Sequence, residues 1–315
     1  MNAHSLPPMS ESERQLALDQ LRLVGSLPEE SYEHIVRVAS ALCDTPIALI
    51  SLLDREQQWF KAKMGVDAAY TERNMAVCDH AIRSPQQLMV VGDVDLDERF
   101  MDNPILKEVG ARFYAGMPLV TKEGAAIGTV CVLDHEPRQL NYYQRQALES
   151  LARLTMILIE ARAKERTHEV VSILEQAIPT QPSPAKADTT VPMPYHVVIL
   201  EIQNLAEVNK GLGQRMLERE LVKIDQDVEA CLDLAGGDNV SRVSGTGEFV
   251  VVMQGELVQG RLNALEDLAQ AATLRLGTRV LMGTAASAGN ESAGEVFMRA
   301  DLALSAQKNR PALAA

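Results

Sequence analysis

The sequence predicts a chain of mixed class, α+β in its first half and α/β in its second, with one long helix between them. Three observations predict this. Residues 46–54 and 57–63, and again 115–120 and 126–133, read as strands paired through short turns. From residue 141 to 177 an apolar, heptad-like pattern runs with little interruption and stops at Pro179, Pro182 and Pro184. Beyond the prolines, strand patterns alternate with helical ones, which suggests a sandwich built on one main sheet.

Length and composition agree with two domains. At 315 residues with 46% hydrophobic residues the chain can fill two cores of ordinary size. Aromatics make up 4%, so Leu, Val, Ile and Ala must do most of the filling. The net charge of −13 argues against a broad nucleic-acid or anionic-membrane surface. No run approaches the ~20 apolar residues of a membrane span, and no apolar run follows Met1. Cys43, Cys78, Cys131 and Cys231 are widely spaced and form no C-x-x-C. The expectation is a cytoplasmic chain with reduced thiols and with neither nucleic-acid nor membrane partners.

In chain order, residues 10–25 form an amphipathic pattern carrying Leu16, Leu18, Leu21 and Leu23, and residues 31–43 form a second. The apolar run 46–54 reads as a buried strand and 57–63 as its alternating partner; 87–91 is a further strand. The turn 121–124 closes on Gly124, between strands 115–120 and 126–133. After the long helix and a flexible Pro-rich linker come a strand at 196–200 and one helix from 205 to about 234. A hairpin follows around 245–248, then a helix at 259–276, a strand at 279–286 and a helix at 293–307. The expected organisation is an N-terminal helix at 1–26, a first domain at 27–140, a connecting helix at 141–178, a linker at 179–194 and a second domain at 195–311.

The run Cys78-Asp79-His80-Ala81-Ile82 is followed by Val90-Val91-Gly92-Asp93, by Asp97-Glu98-Arg99-Phe100, and by Arg112-Phe113-Tyr114-Ala115-Gly116-Met117-Pro118. With the closing strand from Gly124 to Asp134, this order resembles a bacterial GAF sensor domain. The resemblance implies an antiparallel sheet with helices on one face and a small-molecule pocket on the other. It offers Cys78, His80, Asp93, Arg99, Arg112 and Tyr114 as pocket residues, with the ligand unknown. A thiol and an imidazole at Cys78 and His80 also admit a chromophore or haem, against packing of Cys78 as a small hydrophobe. Some GAF-fold enzymes reduce free methionine sulfoxide, and Cys78 with Cys131 as resolving thiol admits that reading, against an inert buried Cys131. The Asn-Lys-Phe-x-Asp-Glu pattern of cyclic-nucleotide GAF domains is absent. Asp93, Asp97, Arg99 and Arg112 either hold an anionic or zwitterionic metabolite or pair with one another to brace loops.

The long helix would extend on the order of 50 Å. In the GAF family such a helix commonly pairs with its twin, so the resemblance implies a homodimer through residues 141–178, with Leu151, Leu154, Leu158 and Val170 as the seam. The alternative makes its first turns a cover for the sheet and its charged remainder, Arg162, Lys164, Glu165 and Arg166, a solvated spacer.

In the second half, Arg242-Val243-Ser244-Gly245-Thr246-Gly247-Glu248-Phe249 resembles the hairpin of the diguanylate cyclase (GGDEF) family, Gly-Gly-Asp/Glu-Glu-Phe. The stretch from Glu201 to Gly213 follows the family's Asp-Ile-Asp-x-Phe-Lys-x-Ile-Asn-Asp-x-x-Gly, and Arg299-Ala300-Asp301-Leu302-Ala303-Leu304 with Lys308 follows its Arg-Ala-Asp-x-Ala-Leu pattern. The resemblance implies a guanine-reading Asn209 and Glu218, a phosphate approach at Gly245 and a phosphate contact from Lys308. Glu201 and Glu248 remain as metal candidates, with Mg²⁺ and GTP as the implied cofactor and substrate. The departures are Gly247 for the hairpin's metal carboxylate, Glu201 and Gln203 for two aspartates, and Thr246 for a glycine. A glycine can ligate a cation only through its carbonyl and brings no charge. The Arg-x-x-Asp product-inhibition pattern is missing, residues 236–239 reading Gly-Gly-Asp-Asn.

The expected function is therefore a GAF sensor joined to a catalytically degenerate GGDEF domain with no catalytic residue, acting by nucleotide or protein binding in cyclic di-GMP-type signalling. Two alternatives stand beside it: an atypical but active diguanylate cyclase, and a scaffold in which both pockets are vestigial.

Overall fold

The computed structural model describes residues 9–178, 194–255, 258–288 and 291–308. The expected linker therefore lies outside the described residues apart from Pro194, as do residues 1–8 of the N-terminal segment and 309–311 of the second domain. The chain divides into two compact units, Met1–Ala163 and Lys164–Ala315. The fold is mixed, with antiparallel sheets and helices in both units.

In the first unit, α1 (Glu11–Gln20) starts at a capping box. The Glu13 amide donates to Ser10 Oγ at 3.3 Å, and the Ser10 amide donates to the Glu13 carboxylate at 2.8 Å. Next, α2 (Glu30–Cys43) ends at Asp44 in the left-handed region. Strands β1 (Ile47–Leu53), β2 (Gln57–Met64) and β3 (Tyr70–Glu72) are followed by α3 (Val77–Ala81), β4 (Met89–Val91), α4 (Pro104–Glu108), β5 (Phe113–Val120) and β6 (Ala126–Asp134). The six strands form one antiparallel sheet in the order β3-β2-β1-β6-β5-β4.

The alternation along each strand decides what each face does. Ile47, Leu49 and Leu53 of β1, Phe60 of β2, and Cys131 and Leu133 of β6 cluster with Val77 and Cys78 of α3. On the opposite face, Lys61 projects to the start of α2. Its ammonium donates to Ser26 Oγ at 2.7 Å, Leu27 O at 2.8 Å and Glu29 at 2.6 Å, and lies 5.1 Å from the Tyr32 ring centroid. Helices thus cover one face, and the other is left to short elements and a cavity.

The long helix α5 (Tyr142–Ala177) contributes to both units. Its first turns are tied to the first unit by Gln144 donating to Cys43 O at 3.2 Å, and they bury Leu148, Leu151, Thr155 and Ile159. Its last turns put Val170 and Leu174 into the core of the second unit. Arg162 and Arg166 are drawn into ion pairs while Lys164 and Glu165 are exposed, so only part of the charged stretch is a solvated spacer. Arg162 Nε lies 3.1 Å from Glu29, and Arg166 meets Glu248.

The second unit runs β7 (Tyr195–Ile202), α6 (Leu205–Leu212), α7 (Gln214–Glu229), β8 (Asn239–Arg242), β9 (Glu248–Gln254), α8 (Gln259–Leu276), β10 (Val280–Ala286) and α9 (Ala293–Lys308). Its four strands are antiparallel in the order β10-β7-β9-β8. Val197, Ile199, Val250, Val252 and Leu281 pack against Val296, Phe297, Ala300 and Leu304 of α9. The single helix expected over 205–234 is two helices. Gly213, at φ 81°, breaks it, because that backbone conformation suits glycine and cannot continue a helix.

Candidate functional sites

Between the sheet and the short elements of the first unit lies a small cavity of about 60 Å³ that opens to solvent on one side. Its lining is almost wholly apolar and includes Leu49, Phe60, Val66, Ala68, Ile105, Val109 and Leu133. Ala68 is exposed, and Val66, Ile105 and Val109 are half-buried, so these form the mouth. Cys78, Tyr114 and Cys131, each at most 2% exposed, form the floor. On the wall, Gln58 and Thr71 face each other across β2 and β3, and the buried Gln58 Oε1 and Thr71 Oγ1 have no hydrogen-bond partner.

The floor is a polar cluster inside an apolar shell. Cys78 Sγ lies 3.8 Å from Cys131 Sγ; it accepts from Tyr114 Oη at 3.3 Å and from Thr129 Oγ1 at 3.2 Å, while Thr129 Oγ1 lies 2.9 Å from Ser51 Oγ. Burial alone would push the Cys78 thiol up, but hydrogen bonds from Cys131, Ser51, Thr129 and Tyr114 outweigh it and hold its pKa below the ordinary thiol value. The hydrogen bond to Cys78, followed by burial, pushes Cys131 well above the ordinary thiol value. Ser51 and Thr129 were not among the residues singled out in the sequence. The available signal was a hydroxyl residue within an otherwise apolar strand run.

Of the six pocket candidates, Cys78 and Tyr114 line this cavity, and the other four do not. His80 packs edge-on against Phe100 at 4.9 Å, and burial, followed by the nearby Arg83 charge, holds its pKa below the usual imidazole value. Asp93 accepts two bonds from Arg112, at 2.9 and 3.0 Å, and also accepts from the Asp95 amide. Arg99 donates to Asp97 at 2.6 and 2.9 Å and stacks over Phe100. These four thus sit in loop-bracing contacts.

In the second unit, Glu201 of β7 and Glu248 of β9 sit at paired positions. Glu248 is 2% exposed, and Arg166 meets both of its oxygens, with Nε donating to Oε2 at 2.7 Å. Asp301 lies 3.9 Å from the same guanidinium. Glu201 accepts from Lys308 Nζ and from Gln203 Nε2, both at 2.8 Å. At Gly247, a Cβ would stand 3.0 Å from Ile202 Cβ and 3.3 Å from Ile202 O, and the glycine carbonyl accepts from the Ile202 amide at 2.9 Å.

The hairpin turn is closed from within. Thr246 Oγ1 donates to Val243 O at 2.8 Å and accepts from the Glu248 amide at 3.1 Å, while Ser244 Oγ donates to Glu169 of α5 at 2.6 Å. Gly245 takes the left-handed backbone at φ 67°. Glu218 on α7 pairs with Arg242 at 2.8 Å. Asn209 on α6 keeps a buried Oδ1 with no hydrogen-bond partner.

These residues do not fit Mg²⁺. Both candidate carboxylates are engaged by protein cations, and position 247 brings no charge. Among the described residues, no group of three or more His, Cys, Asp or Glu side chains converges as a metal site.

The first unit is thus an antiparallel sheet with helices on one face and a cavity on the other. Residues 27–159, within the first unit, match the family model of the GAF domain. A cyclic di-GMP phosphodiesterase of Pseudomonas aeruginosa is 44% identical over 157 residues, covering 49% of this chain and 27% of its own length. The chain thus spans about a quarter of that relative. Among solved structures, the GAF domain of PixJ from Thermosynechococcus elongatus is similar at 15% identity, covering 53% of this chain and 97% of that one, with a TM-score of 0.36. The GGDEF domain of DgcB from Caulobacter crescentus is similar at 21% identity, covering 37% and 72%, with a TM-score of 0.33. No described helix is long and apolar enough to cross a membrane.

Proposed function

We propose that this chain is a cytoplasmic signalling protein of the cyclic di-GMP type, in which the GAF cavity receives a small molecule and the second unit acts by binding rather than by catalysis. The observation that carries this reading is the occupation of both candidate metal carboxylates by internal cations, Arg166 on Glu248 and Lys308 on Glu201. Phosphoryl transfer between two GTP molecules depends on a divalent cation to neutralise the phosphates. A guanidinium and an ammonium in that place compete with a divalent cation for both acids. The similarity to a cyclic di-GMP phosphodiesterase supports the signalling context.

Asn209 supports retention of a nucleotide by this unit. Its unpartnered, buried Oδ1 is an acceptor of the kind that a guanine N–H edge satisfies. Protein partners in the same signalling system are the other candidates for occupying the unit. Isothermal titration of the full chain tests the reading. GTP without metal is expected to bind, and Mn²⁺ alone to give no saturable heat. Stoichiometric Mn²⁺ binding that is lost in a Glu201→Gln variant would overturn the non-catalytic assignment.

A further inference from the structure

We infer that Cys78 and Cys131 form a reactive dithiol at the floor of the GAF cavity, oxidised to an intramolecular disulfide by organic hydroperoxides with an apolar body. The inference deepens the reading of this cavity as the sensory site and rests on it. The two sulfurs come from elements 53 residues apart and are brought to 3.8 Å, and both line the cavity. The other two cysteines have no such neighbour: Cys43 is buried elsewhere, and Cys231 donates to Asp227 O within its own helix end.

The surroundings select the nucleophile. Tyr114 and Thr129 direct hydroxyl protons at Cys78 Sγ, which favours its thiolate form and disfavours that of Cys131. Cys78 is therefore the attacking sulfur and Cys131 the resolving one. In the first step Cys78 Sγ attacks the terminal peroxide oxygen and the O–O bond breaks. The alkoxide leaves as an alcohol, taking up the proton that the Cys78 thiol has lost, and Cys78 becomes a sulfenic acid. In the second step Cys131 Sγ attacks that sulfenic sulfur; the S–S bond forms, the S–O bond breaks, and hydroxide leaves as water with the Cys131 proton. Two electrons pass from the sulfurs to the peroxide, giving one alcohol and one water.

The lining selects the oxidant. Leu49, Phe60, Ile105, Leu106 and Val109 offer an apolar wall, and no Asp, Glu, His, Lys or Arg lines the cavity. A zwitterionic amino acid such as methionine sulfoxide would lose its hydration there and gain no ion pair. The same argument disfavours nucleotides and the propionates of a tetrapyrrole. A neutral hydroperoxide with a hydrocarbon body gains by burial against that wall, whereas hydrogen peroxide gains nothing from it.

The test uses the full chain, reduced, desalted and exposed to one equivalent of cumene hydroperoxide or of hydrogen peroxide, followed by intact mass and peptide mapping. The expected result is loss of two hydrogens, a Cys78–Cys131 cross-linked peptide, and a rate at least about tenfold faster with cumene hydroperoxide. In Cys131→Ser the reaction stops at a Cys78 sulfenic acid that dimedone traps. Ala68→Trp, placed at the mouth and away from the core, slows cumene hydroperoxide and leaves hydrogen peroxide unchanged. Unreacted thiols, a different cysteine pairing, or equal rates with the two peroxides would each overturn the inference. Such a failure is distinct from failure of the sensory reading, which requires that no occupant of the cavity change the protein's output.

Discussion

The proposed non-catalytic reading of the second unit turns on Glu248. Its carboxylate is 2% exposed, and Arg166 is the cation that meets both oxygens. Removing one partner of a buried pair strands the other at a cost of about 3–5 kcal/mol, whereas replacing both by apolar groups is often neutral. Arg166→Ala is therefore expected to lower unfolding stability in urea by about that amount, and Arg166→Met with Glu248→Leu to recover most of it. An Arg166→Ala change within error of zero would remove the pair from the account. Lys61 makes a second residue-scale prediction. Burial first, against the opposing pull of Glu29, brings its ammonium down from 10.5 to about 8. Between those values the unfolded chain holds a proton that the folded chain has released, so this group makes stability rise with pH from 8 towards 10.5. In Lys61→Met that component of the rise is expected to vanish when denaturation midpoints are compared across the window. An unchanged slope would contradict it.

At the scale of elements, α5 is the informative one. The heptad-like pattern correctly marked a helix ending near residue 177, but only contact with the two units decides which apolar positions remain available. Leu151 and Val170, expected in a dimer seam, are buried within the chain, while Leu154 and Ile157 are 50% and 59% exposed. We propose that a homodimer, if it uses this helix, pairs through Leu154 and Ile157 rather than through the whole seam. Sedimentation of Leu154→Glu/Ile157→Glu is expected to show monomer where the native chain shows dimer; a dimer that persists would move the interface elsewhere. Long strands such as β1 and β6 were legible because every residue in them is buried and apolar runs of that length have few other uses. The short elements β3, α3 and α4 were not, because three to five residues carry too little periodicity to separate from a loop. The break at Gly213 was visible as a glycine, yet only its positive φ shows that it ends α6.

At the scale of the whole molecule, the GAF-like order of motifs and the altered hairpin were readable along the sequence, because each is a local string. The two sites were only half readable, because their chemistry is assembled across the chain. Cys78 meets Cys131 over 53 residues, and Arg166 meets Glu248 over 82. Arg166 in particular carried no sequence signal beyond a charge in a charged stretch, and its role emerges only when β9 brings Glu248 to α5. We propose a sensory cavity in one unit and, in the other, an output unit whose acids are held by internal cations. Incubation of the full chain with GTP and Mg²⁺ or Mn²⁺, followed by chromatography for cyclic di-GMP, tests that claim most directly. No product is expected, in the native chain and in Gly247→Asp alike, since Glu201 and Glu248 remain paired with Lys308 and Arg166 in both. Turnover by the native chain would contradict it and would mean that Glu201 and Glu248 release Lys308 and Arg166 to hold a metal.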